Sequence, residues 1–310
     1  YNYTYDILTA MGGDYPPSMG GYYYTYANYN KVDSKGVEIT VSHRNKLNLA
    51  GKPFSYGASF NLTFARNRYL RYPDSPNTVE WRKRTGRSVD ASVVWVAEGL
   101  FRSEEEIDNS AWYGTRPNVG DIKYKDLNGD GKIDEDDRTR VGRGNRPELT
   151  YGLNLNCAWN GFDLRILLQG VGKQDWYPNV FTFFGIYRAP WSDVYVNNLD
   201  HWTPENPNGY FPRLKSYTAE GAGDLSTPQT KYLQNAAYMR IKNITFGYTL
   251  PQSLTRKLKI DQVRFYFSGE NIAEFTKLTK NVDPEALGNG GENLVHPMQR
   301  VFSFGLNLNF

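Results

Sequence analysis

The last eleven residues, RVFSFGLNLNF, alternate strictly between apolar and small polar residues, and this period of two limits what the chain can fold into. Successive side chains of a β-strand point to opposite faces, so the segment predicts a strand with one apolar and one polar face. One face suits lipid, and the other suits water or polar protein. The apolar side carries Phe302, Phe304, Leu306, Leu308 and Phe310, and the other side carries Ser303, Gly305, Asn307 and Asn309.

The same alternation recurs through the chain, so the fold class is predicted to be all-β. The clearest repeats lie at 56–64, 149–159, 162–168, 244–250 and 263–267, with weaker patterns near 2–9 and 31–46. Together with the C-terminal segment, these patterns indicate about eight strands.

The predicted connections between these strands alternate between short and long. The short ones lie near 47–53, at Asn160-Gly161 and at 251–261, and Asn-Gly is the preferred pair for a tight hairpin. The long ones lie near 10–29, 71–148, 173–230 and 276–299, and the apolar segment ASVVWVAEGLF falls inside the second of them. Outer-membrane barrels have short periplasmic turns and long extracellular loops, so the alternation predicts a transmembrane antiparallel β-barrel with a periplasmic C-terminus.

A soluble β-sandwich is the alternative class, but its outward face is expected to carry charges. Here the polar face is built from Asn, Ser, Thr and Gly, while aromatic residues make up 15% of the chain and mean hydropathy is −0.64. A net charge of +3 without a basic stripe gives no indication of nucleic-acid binding. Cys157 is the single cysteine, which excludes an intrachain disulfide.

Eight strands can close a small barrel, but the long connections favour part of a larger one. A partial barrel leaves unpaired backbone groups on its first and last strands, and lipid cannot satisfy them. The chain starts with YNYTYDILTA, without an initiating Met or a signal segment. We therefore expect a piece of a longer protein.

Several segments, taken in order, resemble the C-terminal part of SusC/RagA-like TonB-dependent transporters. The most specific is GDIKYKDLNGDGKIDEDDRTRVGRGNRPELTYGLNLNCAWNGFDLRILLQGVG, from Gly120 to Gly172. It is accompanied by NYNKVDSKGVEITV, DHWTPENPNGYFPRL, YMRIKNITFGYTLP, SGENIAEFTK and the terminal FSFGLNLNF.

The resemblance implies that residues 1–310 are about eight C-terminal strands of a 22-stranded outer-membrane barrel, with the plug and N-terminal strands elsewhere. Such transporters import glycan fragments or peptides with energy passed through TonB, beneath a SusD-like surface lipoprotein. Ranges 71–148 and 173–230 would then be extracellular loops. The expected partners are the plug and remaining strands, the lipoprotein, TonB and outer-membrane lipid, and the chain is not expected to be an enzyme.

The segment DLNGDGKIDEDD has the spacing of a twelve-residue calcium loop, with Gly131 at the turn. Its oxygen donors would be Asp126, Asn128, Asp130, the Lys132 carbonyl, Asp134 and Asp137, with aspartate standing where an EF-hand has glutamate. Calcium is therefore the expected cofactor, in a structural role. The alternative is an acidic turn held by Asx hydrogen bonds without an ion.

Aromatic residues are concentrated in the loop 173–230, and Trp176, Tyr177 and Trp191 are the candidates for contact with a lipoprotein lid. The alternative is that these rings pack the loop against itself or form the aromatic girdle of the barrel. On the polar face, the candidates for substrate contact are Asp163, Arg165, Gln169, Arg264 and Glu270. The alternative is that they hydrogen-bond the plug or line the lumen as a solvated wall. The second function left open is a soluble, calcium-stabilised carbohydrate-binding or glycan-degrading β domain.

Overall fold

The computed structural model describes residues 2–10, 26–144, 146–178, 181–187, 191–215, 225, 228–280, 282–287 and 298–310. Its strands are, in chain order, β1 (Asn2–Ala10), β2 (Tyr26–Leu49), β3 (Lys52–Arg71), β4 (Ser92–Trp95), β5 (Ala97–Leu100), β6 (Ile122–Tyr124), β7 (Arg138–Val141), β8 (Leu149–Trp159), β9 (Phe162–Gly172), β10 (Asp175–Trp176), β11 (Gln234–Asn235), β12 (Tyr238–Thr249), β13 (Gln262–Thr276) and β14 (Val301–Asn309). Short helices are α1 (Glu104–Asp108), α2 (Phe181–Phe184) and α3 (Gln252–Thr255), and 3-10 turns lie at Glu80–Arg82, Glu135–Asp137, Gly185–Tyr187, Val196–Leu199 and Arg256–Leu258.

Eight strands form one antiparallel sheet in the order β1-β2-β3-β8-β9-β12-β13-β14. Strands that follow one another in this order are antiparallel partners, and the order is also their order in the chain, so the sheet is an up-and-down meander. The predicted eight antiparallel strands are confirmed. Among the described strands, β1 and β14 are the two edges.

Tight turns join the strands at one end of the sheet, which we call the short-turn end. Asn160 and Gly161 both have positive φ, 48° and 87°, as a type I′ hairpin requires, so the hairpin predicted there is confirmed. Ala50 and Gly51 make a second turn with the same signs, φ 51° and 76°. Residues 250–261, which include α3, form the third short connection.

The other end, the long-connection end, carries residues 72–148, 173–237 and 277–300 between the sheet strands. The predicted alternation of lengths is confirmed for these connections, and ASVVWVAEGLF lies within the first of them as β4 and β5. Residues 11–25 of the predicted connection 10–29 lie outside the described residues. β3 is longer than predicted because its pairing with β2 continues beyond the apolar stripe into charged rows such as Lys35 opposite Arg66.

The register places the apolar residues of neighbouring strands side by side, as the alternation predicts. Phe60 lies opposite Leu153, which in turn lies opposite Leu168. On β3 this apolar face runs from Phe54 to Phe64. Ten steps of about 3.4 Å, tilted by about 40°, give a band about 26 Å tall, close to the lipid-facing band of outer-membrane barrels.

Candidate functional site

The two connections 72–148 and 173–237 fold together at the long-connection end and share one hydrophobic core. The Trp95 amide donates to the Pro228 carbonyl, and the Thr230 amide donates to the Trp95 carbonyl. The Ala97 amide donates to the Thr230 hydroxyl at 2.9 Å. We call this unit the loop layer. Its buried core side chains are Ile122, Phe183, Phe184, Tyr187, Phe211, Leu225 and Tyr232.

The aromatic side chains of this core hold the layer by packing and by neutral hydrogen bonds. Burial raises the pKa of both Tyr187 and Tyr232, so their hydroxyls stay protonated. The Tyr187 hydroxyl donates to the Pro212 carbonyl at 2.9 Å. Tyr187 stacks on Phe211 with ring centroids 5.5 Å apart.

A buried ion cluster fastens the two connections to each other. Asp121 is 3% exposed and accepts hydrogen bonds from Arg213 at 3.2 Å and from Lys215 at 2.7 Å. The Asn118 amide donates to the same carboxylate at 2.9 Å. A buried carboxylate needs such partners because its desolvation is costly, so Asp121 depends on both connections being in place.

The segment 126–137 forms a web of turns in which its acidic side chains accept backbone hydrogen bonds. Asp126 accepts from the Gly129 and Gly131 amides at 2.6 and 2.9 Å. The remaining Asx-type bonds run from the Asp130 amide to Asn128, from the Lys132 amide to Asp130, and from the Asp136 amide to Asp134, at 2.8–3.0 Å. These bonds fix the backbone of the turn.

Asp137 is the buried anchor of that segment. Its side chain is fully buried, and its two carboxylate oxygens accept from the amides of Leu127, Asn128 and Asp134 at 2.7, 3.4 and 2.9 Å. Asp137 thus joins the start of the segment to its end through hydrogen bonds. The twelve-residue spacing therefore has a structural explanation in the closure of this turn.

Calcium at Asp126, Asn128, Asp130, Lys132, Asp134 and Asp137 stays a prediction. In the part of the chain that the structure describes, no three His, Cys, Asp or Glu side chains lie together in a group that would hold a metal ion. Elemental analysis of the protein purified without added metal, before and after dialysis against a chelator, measures the occupancy directly. About one calcium per chain that the chelator removes would support the prediction, and none beforehand would contradict it.

Replacing Asp137 with alanine is expected to open the segment 126–137. Three backbone amides would lose their acceptor, at about 1 kcal/mol or more for each one left buried. Limited proteolysis of the protein in mild detergent should show new, fast cleavage within the segment. Glu135→Ala, which removes an exposed carboxylate of the same segment that is not among the predicted calcium donors, is the matched control and should change the cleavage rate little.

The three aromatic candidates for partner contact lie in different environments. Trp176 is 6% exposed and packs with Ala236, Leu278 and Leu287. Tyr177 is half-buried against the loop core and donates its hydroxyl to the Leu225 carbonyl at 2.6 Å. The Trp176 ring is therefore already covered by this chain, by residues outside the loop 173–230.

Trp191 is 84% exposed and belongs to an apolar surface that the sequence did not reveal. We call residues 191–199 the apolar rim; its exposed side chains are Trp191, Val194, Val196 and Leu199, with exposed fractions of 84, 48, 83 and 65%. Val194 and Val196 are two residues apart and Val196 and Leu199 are three apart, but the segment is too short for either spacing to distinguish an exposed surface from a buried one.

Hydrogen bonds and close backbone packing fix the conformation of the apolar rim. Asn198 is fully buried, donates to the Phe183 carbonyl at 2.9 Å and accepts from the Tyr195 amide at 3.1 Å. Gly185, with φ 52°, leaves room for the Asp193 carbonyl, which a Cβ atom would approach to 2.4 Å. The rim therefore presents large apolar side chains on a fixed backbone.

On the polar face of the sheet, two of the predicted charged residues bind each other. Arg264 donates to both carboxylate oxygens of Asp163 at 2.9 and 2.6 Å. Asp163 lies on β9 and Arg264 on β13, with β12 between them. The arginine side chain crosses β12 at Gly247, where a Cβ atom would lie 2.4 Å from Arg264. The pair is thus a cross-strand clamp within the wall.

A second charged cluster, which sequence reasoning missed, lies where β12 and β13 leave the sheet. Arg240 has a side chain 3% exposed and contacts Glu274, Asp283 at 2.8 Å and Glu285 at 3.2 Å. Burial alone would raise the pKa of Asp283, but the amides of Glu285 and Met298 together with Arg240 lower it below its ordinary value. The cluster ties the segment 282–287 to the sheet.

No helix among the described residues is long and apolar enough to cross a membrane. No protein-family model matches the chain. TonB-dependent receptor P3 of Formosa agariphila is 25% identical over 317 residues, covering 95% of this chain and 30% of that protein. TonB-dependent receptor SusC of Bacteroides thetaiotaomicron is 24% identical over 296 residues, covering 91% of this chain and 27% of that protein.

Solved structures give the same result for the fold. The RagAB peptide importer in its open-open state superposes with a TM-score of 0.69 at 21% identity, covering 99% of this chain and 32% of that chain. The RagAB peptide transporter gives a TM-score of 0.66 at 22% identity with the same coverage. The resemblance seen in the sequence is confirmed, and the chain spans about a third of the length of the relatives that it matches.

Proposed function

Because the chain is similar along nearly its whole length to SusC and RagA-like TonB-dependent transporters, we propose that it forms the C-terminal wall of a TonB-dependent importer in the outer membrane. The observation that carries the proposal is the eight-stranded meander with tight turns at one end and a folded loop layer at the other. In this arrangement the short turns face the periplasm, and the connections 72–148 and 173–237 face the exterior.

The proposed action is binding and conformational release, and not bond chemistry. The sheet supplies wall with a polar inner face, the rest of the wall completes the backbone pairing at β1 and β14, and a plug fills the lumen. The proposed cargo class is glycan fragments or peptides, and energy would reach the plug from TonB. One solved neighbour is a peptide importer, which favours peptides within that class.

The decisive experiment is to extract the native particle from membranes in mild detergent and to determine its mass and composition. We expect this sequence within a larger barrel-and-plug assembly that requires detergent and that co-purifies with a surface lipoprotein. A water-soluble monomer of 35.5 kDa that needs no detergent would overturn the proposal and favour the soluble carbohydrate-binding or glycan-degrading domain instead.

The apolar rim is the proposed contact for a SusD-like lipoprotein lid. It lies in the loop layer, which faces the exterior in the proposed topology, and large apolar side chains on a fixed backbone are typical of energetically dominant contacts. Tyr177, which is half-buried, lies behind it in the loop core.

Replacing Trp191 and Val196 together with serine is expected to weaken lid association at least tenfold, about 1.4 kcal/mol. The measurement is the amount of lipoprotein that stays bound to the detergent-solubilised transporter across a dilution series. Leu254→Ser, at the opposite end of the sheet and 53% exposed, is the matched control. Unchanged association of the double variant would contradict the assignment of the rim.

A further inference from the structure

Basic residues collect on the apolar face of the sheet directly beyond its apolar band, at the long-connection end. Lys35 lies opposite Arg66, one row past the pair Val37 and Phe64, and Arg68 follows in the next row of the same face. The Lys173 ammonium group lies 4.5 Å from the centre of the Phe64 ring. We call Lys35, Arg66, Arg68 and Lys173 the basic row.

Three of these four cations are not neutralised within the part of the chain that the structure describes. Arg66, Arg68 and Lys173 are exposed, and no carboxylate there lies within 4 Å of them; Asp33, the residue opposite Arg68, contacts Lys35 at 2.8 Å. The nearby carboxylate of Glu148 is already bound by Arg143 at 3.2 Å.

Asp33 supplies one negative charge to these four cations, so the basic row keeps a net positive charge. Like charges directly opposite each other on neighbouring strands destabilise a sheet, and Lys35 and Arg66 are such a pair. A bound anion would offset that repulsion and would be shared by the basic row. Arginine in particular binds phosphate through two parallel N–H donors.

The height of the basic row on the wall indicates what kind of anion it meets. Phe64 closes the apolar band, so Arg66 and Arg68 lie where lipid headgroups begin. Their side chains share the face that the apolar band presents to lipid, so the lumen and the loop core are on the other side. Basic clusters at this height bind anionic lipid headgroups.

An apolar groove lies beside the basic row and offers a place for the rest of such a molecule. Gly172, the residue before Lys173, is part of the groove lining, together with Tyr151, Met239 and Phe275. The groove holds about 430 Å³, and Lys277 lies at its edge. The groove therefore adjoins Lys173 of the basic row in the chain, and it lies on the same face of the sheet as the lipid-facing band.

We propose that this surface binds a phosphate-bearing lipid of the leaflet at the long-connection end, with the phosphate on the basic row and an acyl chain in the groove. The inference rests on the proposed function, because it requires the apolar band to lie in a membrane. It adds a defined lipid site that fixes the height of the wall in the bilayer.

The test uses the full-length transporter in mild detergent, with its need for detergent established first. Native mass spectrometry then measures retention of an added phosphorylated glycolipid, of its dephosphorylated counterpart, and of the phosphorylated lipid in competition with inorganic phosphate. The variant is Arg66→Gln with Arg68→Gln. The control is Lys257→Gln with Lys259→Gln, which removes the same charge from exposed positions at the short-turn end.

We expect the double variant to bind the phosphorylated lipid roughly 30-fold more weakly, and the control to bind as the unmodified protein does. Equal binding by the double variant would overturn the inference. Equal retention of the dephosphorylated lipid, or displacement by inorganic phosphate alone, would also overturn it, since the site would then recognise the chain or a free anion. If the protein needs no detergent, the proposed function is contradicted before any lipid is added.

Discussion

Replacing Leu153 with arginine is expected to prevent most of the protein from assembling in the outer membrane. Leu153 lies near the middle of the apolar band, between Phe60 on β3 and Leu168 on β9. An arginine at the bilayer midplane of a barrel's lipid face costs about 2–4 kcal/mol, which is a large part of the stability of most domains.

The measurement is the fraction of transporter in the membrane that shows the heat-sensitive migration of a folded barrel. Asn154→Arg is the matched control, because the next residue along β8 faces the opposite side of the sheet. We expect the control to assemble much better than Leu153→Arg. If both variants assemble equally well, the apolar face does not contact lipid, and the membrane topology proposed here is wrong.

Replacing Arg240 with methionine is expected to release the segment 282–287 from the sheet. Three carboxylates, those of Glu274, Asp283 and Glu285, would lose a shared buried cation, and breaking such a pair costs about 3–5 kcal/mol. Limited proteolysis should then cut the connection 277–300 rapidly while the sheet stays intact.

The variant Arg240→Lys distinguishes the effect of the positive charge from the effect of the guanidinium geometry. Lysine keeps the charge but offers one ammonium group where the guanidinium meets three carboxylates, so we expect an intermediate cleavage rate. A rate for Arg240→Met that matches the unmodified protein would show that the contacts of Asp283 with the Glu285 and Met298 amides are sufficient.

The same cluster makes the attachment dependent on acidity. The pKa of Asp283 is below its ordinary value in the folded protein, so its contribution to stability is complete above that ordinary value and is lost as the pH falls through the lower, folded one. We expect cleavage of the connection 277–300 to accelerate only below about pH 4. The Arg240→Met variant should show a weaker dependence, because one cause of the lowered pKa is gone.

Regular strands were predictable from the sequence because they have a fixed period and tight turns with specific residues. The C-terminal alternation and Asn160-Gly161 gave the strand number, the faces and one hairpin, and the structure agrees with them. Strand ends were less predictable, since β3 extends into charged rows that carry no apolar alternation.

The loop layer was not predictable in the same way. Ala97 meets Thr230, and Asp121 meets Lys215, across separations of about a hundred residues that no local pattern records. Trp176 and Trp191 look alike in sequence, yet one is buried and the other is exposed. Burial of a loop side chain depends on which distant segment covers it, and a single sequence does not contain that pairing.

The shared core of the loop layer limits how the exterior of this wall can be exchanged between relatives. Grafting only one of the two connections from a related transporter would set foreign side chains against Phe184, Phe211 and Tyr232 and would separate Asp121 from its cations. Grafting both would transfer a complete core. Chimaeras, and evolution by recombination, should therefore succeed when the two connections are inherited as a pair, which makes them one unit of specificity although the sheet separates them in the chain.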